Sequence, residues 1–280
     1  MKTSTALTTF FVGSLVLLAL FCPALALSSL ITAQGMSTES INGSSWYSTN
    51  WSGYAVTGST GSVTSVQGSW TVPTVTGNRR TTAYSSFWVG IDGFSSNTVE
   101  QIGTDSDIQN GRALYYAWYE FYPNPMYQIT ALSISPGDVI SATVTYQSSK
   151  FVVSITDTNP TTSKSTSWTS KPTTVSGATE SSAEWIAEAP SSYRGVLPLA
   201  NFGTVNFGQD YTNVAGTCYA TIGGVTGYIG SFGLNVQTIT MATLAYNFRT
   251  HGYTIVPKAV PSLLSTDGSS FSVTWASAGP

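Results

Sequence analysis

The chain has 280 residues, of which only 8% are charged; 10 Lys and Arg stand against 13 Asp and Glu, with a single His and a net charge of -3. That balance lacks the basic footprint that nucleic acid demands. It also leaves little positive charge to repel itself in acid, so an acidic setting suits the composition.

The N-terminus has Met1-Lys2, an apolar run from Phe10 to Cys22, then Ala24-Leu25-Ala26. A positive start, an apolar stretch and a small-residue cleavage site read as a secretory signal over residues 1–26. The run is shorter than the roughly 20 apolar residues of a spanning helix, which argues against an uncleaved anchor. Residues 27–45 are rich in Ser, Thr and Gly; they read as a short pro-segment or a loose start. Residues 46–280 read as one β domain. Cys22 falls in the signal, so Cys218 is left with no intramolecular disulfide partner. Asn42-Gly43-Ser44 and Asn50-Trp51-Ser52 are glycosylation sequons.

From Trp46 onward, runs of Val, Thr, Tyr, Trp and Phe alternate with Gly, Pro, Asn and Ser breaks. Strands are expected near 63–72, 85–92, 98–103, 114–122, 139–147, 150–157, 182–188, 200–207, 227–232, 235–246 and 270–276. The pair 139–147 and 150–157 reads as a hairpin closed through Ser148-Ser149. Residues 251–268 read as a Pro-containing loop, and no amphipathic helix stands out. Many short strands of this kind point to an all-β sandwich of two sheets.

Several chemistries lack their residues. His251 is the one histidine and no Gly-x-Ser-x-Gly elbow is present, so a Ser-His-Asp triad has little to build on. A Cys218–His251 dyad competes with plainer readings: a buried thiol acting as core filler, and a histidine in the turn Arg249-Thr250-His251-Gly252. No His-Glu-x-x-His motif is present to hold catalytic zinc. Nor does a phosphate loop or a dinucleotide fingerprint stand out. Carboxylates and amides remain.

Strand periodicity places these on particular faces. Trp88, Gly90 and Asp92 share one face, opposite Phe87, Val89 and Ile91. Tyr116, Trp118, Glu120 and Tyr122 share a face, as do Glu184 and Glu188. Gln101 points opposite to Glu100 and Ile102. Acids beside aromatics are desolvated, which raises their pKa. Aromatic stripes also serve as ordinary sheet packing, and Glu184 and Glu188 also read as a solvated face. Periodicity leaves open which acid is catalytic.

Five segments carry a family likeness: Asn50-Trp51-Ser52-Gly53-Tyr54, Trp88-Val89-Gly90-Ile91-Asp92-Gly93, Glu100-Gln101-Ile102-Gly103, Ala117-Trp118-Tyr119-Glu120-Phe121-Tyr122-Pro123 and Ala183-Glu184-Trp185-Ile186-Ala187-Glu188. In order and spacing the sequence resembles the glutamic peptidases, or eqolisins, most clearly over residues 46–207. The resemblance implies a concanavalin-like sandwich of two curved antiparallel sheets with a concave active face. It implies catalytic Gln101 and Glu188, with Trp88, Asp92, Glu120 and Tyr122 along the substrate groove. Tyr116 stands where the type protein has Asp. The implied protein is a secreted, extracellular, acid-active endopeptidase. Its expected partners are protein or peptide substrates, with no nucleic acid, no membrane after signal cleavage, no cofactor, no metal and a monomeric chain. The alternatives are a β-sandwich glycoside hydrolase, for which Glu120 and Glu188 could be the acid pair, and a non-catalytic carbohydrate-binding module.

Overall fold

A computed structural model describes residues 44–249 and 251–279. The signal, most of the segment 27–45 and the Asn42 sequon lie outside them. The strands are, in chain order, β1 (Ser45–Ser48), β2 (Trp51–Thr57), β3 (Val63–Thr71), β4 (Ser86–Ile91), β5 (Val99–Gln109), β6 (Arg112–Tyr122), β7 (Tyr127–Ile129), β8 (Val139–Gln147), β9 (Lys150–Asn159) and β10 (Lys164–Thr169). After them come β11 (Ser182–Glu188), the short β12 (Ser191–Ser192) and β13 (Gly195–Val196), β14 (Thr204–Phe207), β15 (Tyr219–Ile222), β16 (Val225–Tyr228), β17 (Val236–Asn247), β18 (Gly252–Pro261) and β19 (Phe271–Trp275).

One layer runs β17–β2–β11–β4–β5–β6–β7, antiparallel throughout, with β1 parallel beside β17. The other runs β10–β9–β8–β3 and continues through β14 and β15. Strand β14 leads to β19 and β18, and the β17–β18 hairpin ties the layers together at that side. The protein is therefore a β-sandwich whose two layers share a continuous hydrogen-bonded edge.

Alternation explains the layering. Phe87, Val89, Ile91, Ile102, Ala183 and Trp185 pack against Val66, Trp70, Ile140, Val144, Val153 and Ile155 in the inter-sheet core. Each fully buried large side chain there contributes about 1.5–3 kcal/mol. The opposite face of the first layer carries a second cluster: Trp51, Ala55, Trp88, Val99, Trp118, Ile186 and Ile239. That face holds the site.

The β8–β9 hairpin closes as expected, Gln147 pairing with Lys150 across Ser148 and Ser149 at φ 52° and 60°, a left-handed pair suited to a tight primed turn. Three readings change. Residues 252–261 form strand β18 rather than a loop. The strand expected near 227–232 gives way to a 3₁₀ segment, Ile229–Asn235, after β16. Of the run 200–207, only Thr204–Phe207 is strand. Cys218 is buried and free, and His251 sits exposed in the β17–β18 turn, as their neighbourhoods imply.

Candidate active site

Cross-strand register fixes which side chains meet on the second face. One row aligns Glu184, Gly90, Gln101 and Glu120 across β11, β4, β5 and β6. The next aligns Ile186, Trp88, Gly103 and Trp118, and the third Glu188, Ser86, Asp105 and Tyr116. Gln101 and Glu188 thus belong to one sheet and one face. Two glycines clear the middle of it. A Cβ on Gly103 would lie 2.6 Å from Trp88 Cβ and against the Phe87 carbonyl; one on Gly90 would lie 2.9 Å from the Trp88 ring.

Glu188 ends β11 and is buried. Trp88 Nε1 donates to its Oε2 at 2.8 Å, and Asn50 Nδ2 donates to its Oε1 at 3.2 Å. Burial pushes its pKa well above the usual carboxylate range, Glu120 and Asp105 add to the rise by charge, and the Trp88 and Asn50 hydrogen bonds oppose it. Gln101 Nε2 donates to Glu120 Oε2 at 2.6 Å. An amide nitrogen carries two N–H groups, so that bond leaves one for a further acceptor.

Ser86, Asp105, Trp118, Glu120, Met126, Glu188 and Pro190 line a cleft. Its space for the centre of a water-sized sphere is ≈ 20 Å³, about what a single water requires. Behind it, Asp105 accepts from Ser86 Oγ at 2.6 Å and from the Tyr116 hydroxyl at 2.7 Å. The same hydroxyl lies 3.2 Å from Asp107 Oδ2. Burial raises the pKa of Asp105 to about 6. Asp107 is also pushed well up, by burial first and then by the charge of Asp105.

Glu188 and Glu120 therefore share a cleft, and Gln101 joins it through Glu120. Trp88 lies fully buried beneath it as a donor to Glu188 rather than as an open groove wall. Tyr122 is half-buried at the end of β6, packed against the aromatic cluster and outside the cleft lining. Asp92, expected along the groove, lies elsewhere. It leaves the strand at φ 72°, and its carboxylate accepts from Thr179 N and Oγ1, Glu180 N, and Ser181 N and Oγ. It anchors the 179–181 loop. Nor do Glu184 and Glu188 form a solvated face; both are buried, and neither oxygen of Glu184 has a hydrogen-bond partner among the described residues. Asn50 is likewise buried, so its sequon is committed to Glu188 rather than offered to a glycan.

The matched family model is the peptidase A4 family, over residues 49–240. The chain belongs to that family, the glutamic peptidases or eqolisins. It is 35% identical to aspergillopepsin-2 of Aspergillus niger over 180 residues, 58% of this chain and 63% of that protein. It is 36% identical to scytalidopepsin B of Scytalidium lignicola over 97 residues, 34% and 35% of the two chains. The match spans less than two thirds of the length of either relative. A crystal structure of scytalido-glutamic peptidase with a transition-state analogue inhibitor superposes with a TM-score of 0.58 at 26% identity, covering 81% of this chain and 98% of that one.

Sequence reasoning missed Asp105, Ser86 and the role of Asn50. Asp105 stands four residues after Gln101, on the same strand face, so continuing the period-2 pattern past Gly103 finds it.

Proposed function

We propose that this eqolisin is a secreted acid endopeptidase that uses Glu188 as general base and Gln101 as oxyanion donor. The observation that carries the reading is the cleft itself. Two carboxyls line space for about one water: Glu188, held by two donors, and Glu120, which accepts from the Gln101 amide.

The water oxygen attacks the scissile carbonyl carbon while one of its protons passes to Glu188. The carbonyl oxygen becomes an oxyanion and accepts the free N–H of Gln101, which stays neutral throughout the acid range. Glu188 then returns its proton to the amide nitrogen as the C–N bond breaks, releasing the amine and a carboxylic acid. Trp88 and Asn50 hold Glu188 and favour its charged form, through hydrogen bonds that pass to an anion more strongly than to an acid. The related structure was solved with a transition-state analogue inhibitor, which supports a cleft shaped for a tetrahedral intermediate.

The test is hydrolysis of an unfolded protein across acid pH. Wild type should cleave it, and Glu188→Gln, which keeps the shape and removes the base, should lose activity almost entirely. A folded Glu188→Gln enzyme with undiminished activity would refute the assignment.

A further inference from the structure

The mechanism above uses Glu188 and Gln101 but leaves Asp105, a wall of the same cleft, without a part. Asp105 is held from two sides, by Ser86 Oγ on Oδ1 and by the Tyr116 hydroxyl on Oδ2. Tyr116 also reaches Asp107, whose other oxygen accepts the Ser85 N–H at 3.2 Å. The groups that face this pair are Glu188 from β11, Glu120 and Tyr116 from β6, and Tyr84 before β4. All are acids or phenols, so none offsets a negative charge on Asp105.

We infer that Asp105 is the carboxyl whose ionisation ends activity as the pH rises, and that Tyr116 is a positioning residue that sets this limit by gripping it. The inference rests on the peptidase reading and deepens it. While Asp105 is protonated, it adds no negative charge beside the general base. Once it ionises, its charge lines a space about one water wide, where it repels the oxyanion that forms during attack. The Tyr116 hydroxyl donates to Asp105, and a donor to the charged form makes that form easier to reach. Burial alone would hold Asp105 neutral to higher pH. The tyrosine therefore draws the upper limit downward and keeps activity acidic.

The experiment follows kcat/KM of a fluorogenic peptide against pH for wild type, Tyr116→Phe, Asp105→Asn and the double variant. In parallel, ¹³C-carboxyl NMR follows the titration of Asp105 in wild type and Tyr116→Phe. Removing the hydroxyl should move both the alkaline limb and the Asp105 titration upward by about one to two pH units, the effect of one hydrogen bond to a charged group. Asp105→Asn should also move the limb upward, and adding Tyr116→Phe to it should move it no further, because the tyrosine acts through Asp105. Folded variants with an unmoved limb, or an Asp105 titration indifferent to Tyr116→Phe, would overturn the inference while the peptidase reading stands. A wild type without peptidase activity at any pH would overturn that reading, and this inference with it.

Discussion

Glu100 offers a direct test of how the fold depends on acid. It pairs in register with Ile91 and Phe121 on the core side of β5, fully buried, and neither carboxyl oxygen has a hydrogen-bond partner among the described residues. Burial raises its pKa from 4.5 to about 9, with the charge of Asp92 adding to the rise. In the unfolded chain it ionises near 4.5. Between these values the folded state holds a proton that the unfolded state has lost, so stability is fully present below about pH 4.5 and falls as the pH rises toward 9. At pH 7 the gap is about 2.5 units, which at 1.36 kcal/mol per unit costs about 3 kcal/mol. Glu100→Gln removes that titration. Its buried amide costs about 1–3 kcal/mol of its own, but equally at every pH. Unfolding in urea, measured at pH 4.5 and pH 7 in an inactive Glu188→Gln background, isolates the difference. The parent should lose about 3 kcal/mol more than the Glu100→Gln protein between the two, or roughly 6–12 °C in melting temperature. Equal losses in both proteins would show that Glu100 does not carry its proton in the folded state.

Gln101→Ala should lower kcat by about 10²–10³ with a smaller change in KM, as expected for one oxyanion donor, and steady-state kinetics on a peptide would show it. Glu184→Gln should lose less than about tenfold in kcat/KM, because Glu184 lies outside the cleft lining that includes Glu188, the proposed base. Gly103→Ala should cost about 1–3 kcal/mol of stability by overpacking. Its Cβ would press on Trp88 and disturb the indole that holds Glu188, so near-UV circular dichroism and kcat should change together.

The face that the site's side chains share was legible because period-2 alternation is a strong signal where one strand face meets a core and the other a groove, while the choice of Gln101 and Glu188 rests on the family resemblance. Trp88, Gln101, Glu120 and Glu188 fall on the predicted face for that reason. The pattern misleads where a strand stops. Asp92 shares parity with Trp88, but β4 ends at Ile91 and the turn at φ 72° swings its carboxylate into the 179–181 loop. It is also silent where both faces are buried: β2 has no polar alternation and was not read as a strand. Strand β18 was hidden by Pro257 and Pro261. The first pairs with Ala242 next to a register shift, a place where a strand can do without one N–H, and the second closes the strand. Asp105 was lost because Thr104-Asp105-Ser106-Asp107 is polar enough to read as a turn, yet it runs on as β5 and is buried throughout.

The same count of acids that limited the sequence reading has a structural meaning. Among the described residues nine Asp and Glu are buried: Asp92, Glu100, Asp105, Asp107, Glu120, Asp138, Glu180, Glu184 and Glu188. Among the described Lys and Arg only Lys258 is, and its amine donates to the Thr49 carbonyl rather than to a carboxylate. Burying a charged carboxylate without a partner is costly, and protonation is the cheapest escape. Asp92 has its partners: loop N–H and O–H donors from residues 179–181 reach both of its oxygens. Glu100, Glu184, Glu188, Asp105 and Asp107 lie on the other side of the choice, all with raised pKa values. A fold that buries such groups loses stability as they are forced to ionise, and under the proposed mechanism the cleft works only while Asp105 keeps its proton. Under the proposed function, loss of stability and loss of activity as the pH rises then share one cause, the proton inventory of the first sheet. Raising the pH should therefore erode activity at the cleft and stability at Glu100 through separable steps, the first moved by Tyr116→Phe and the second by Glu100→Gln.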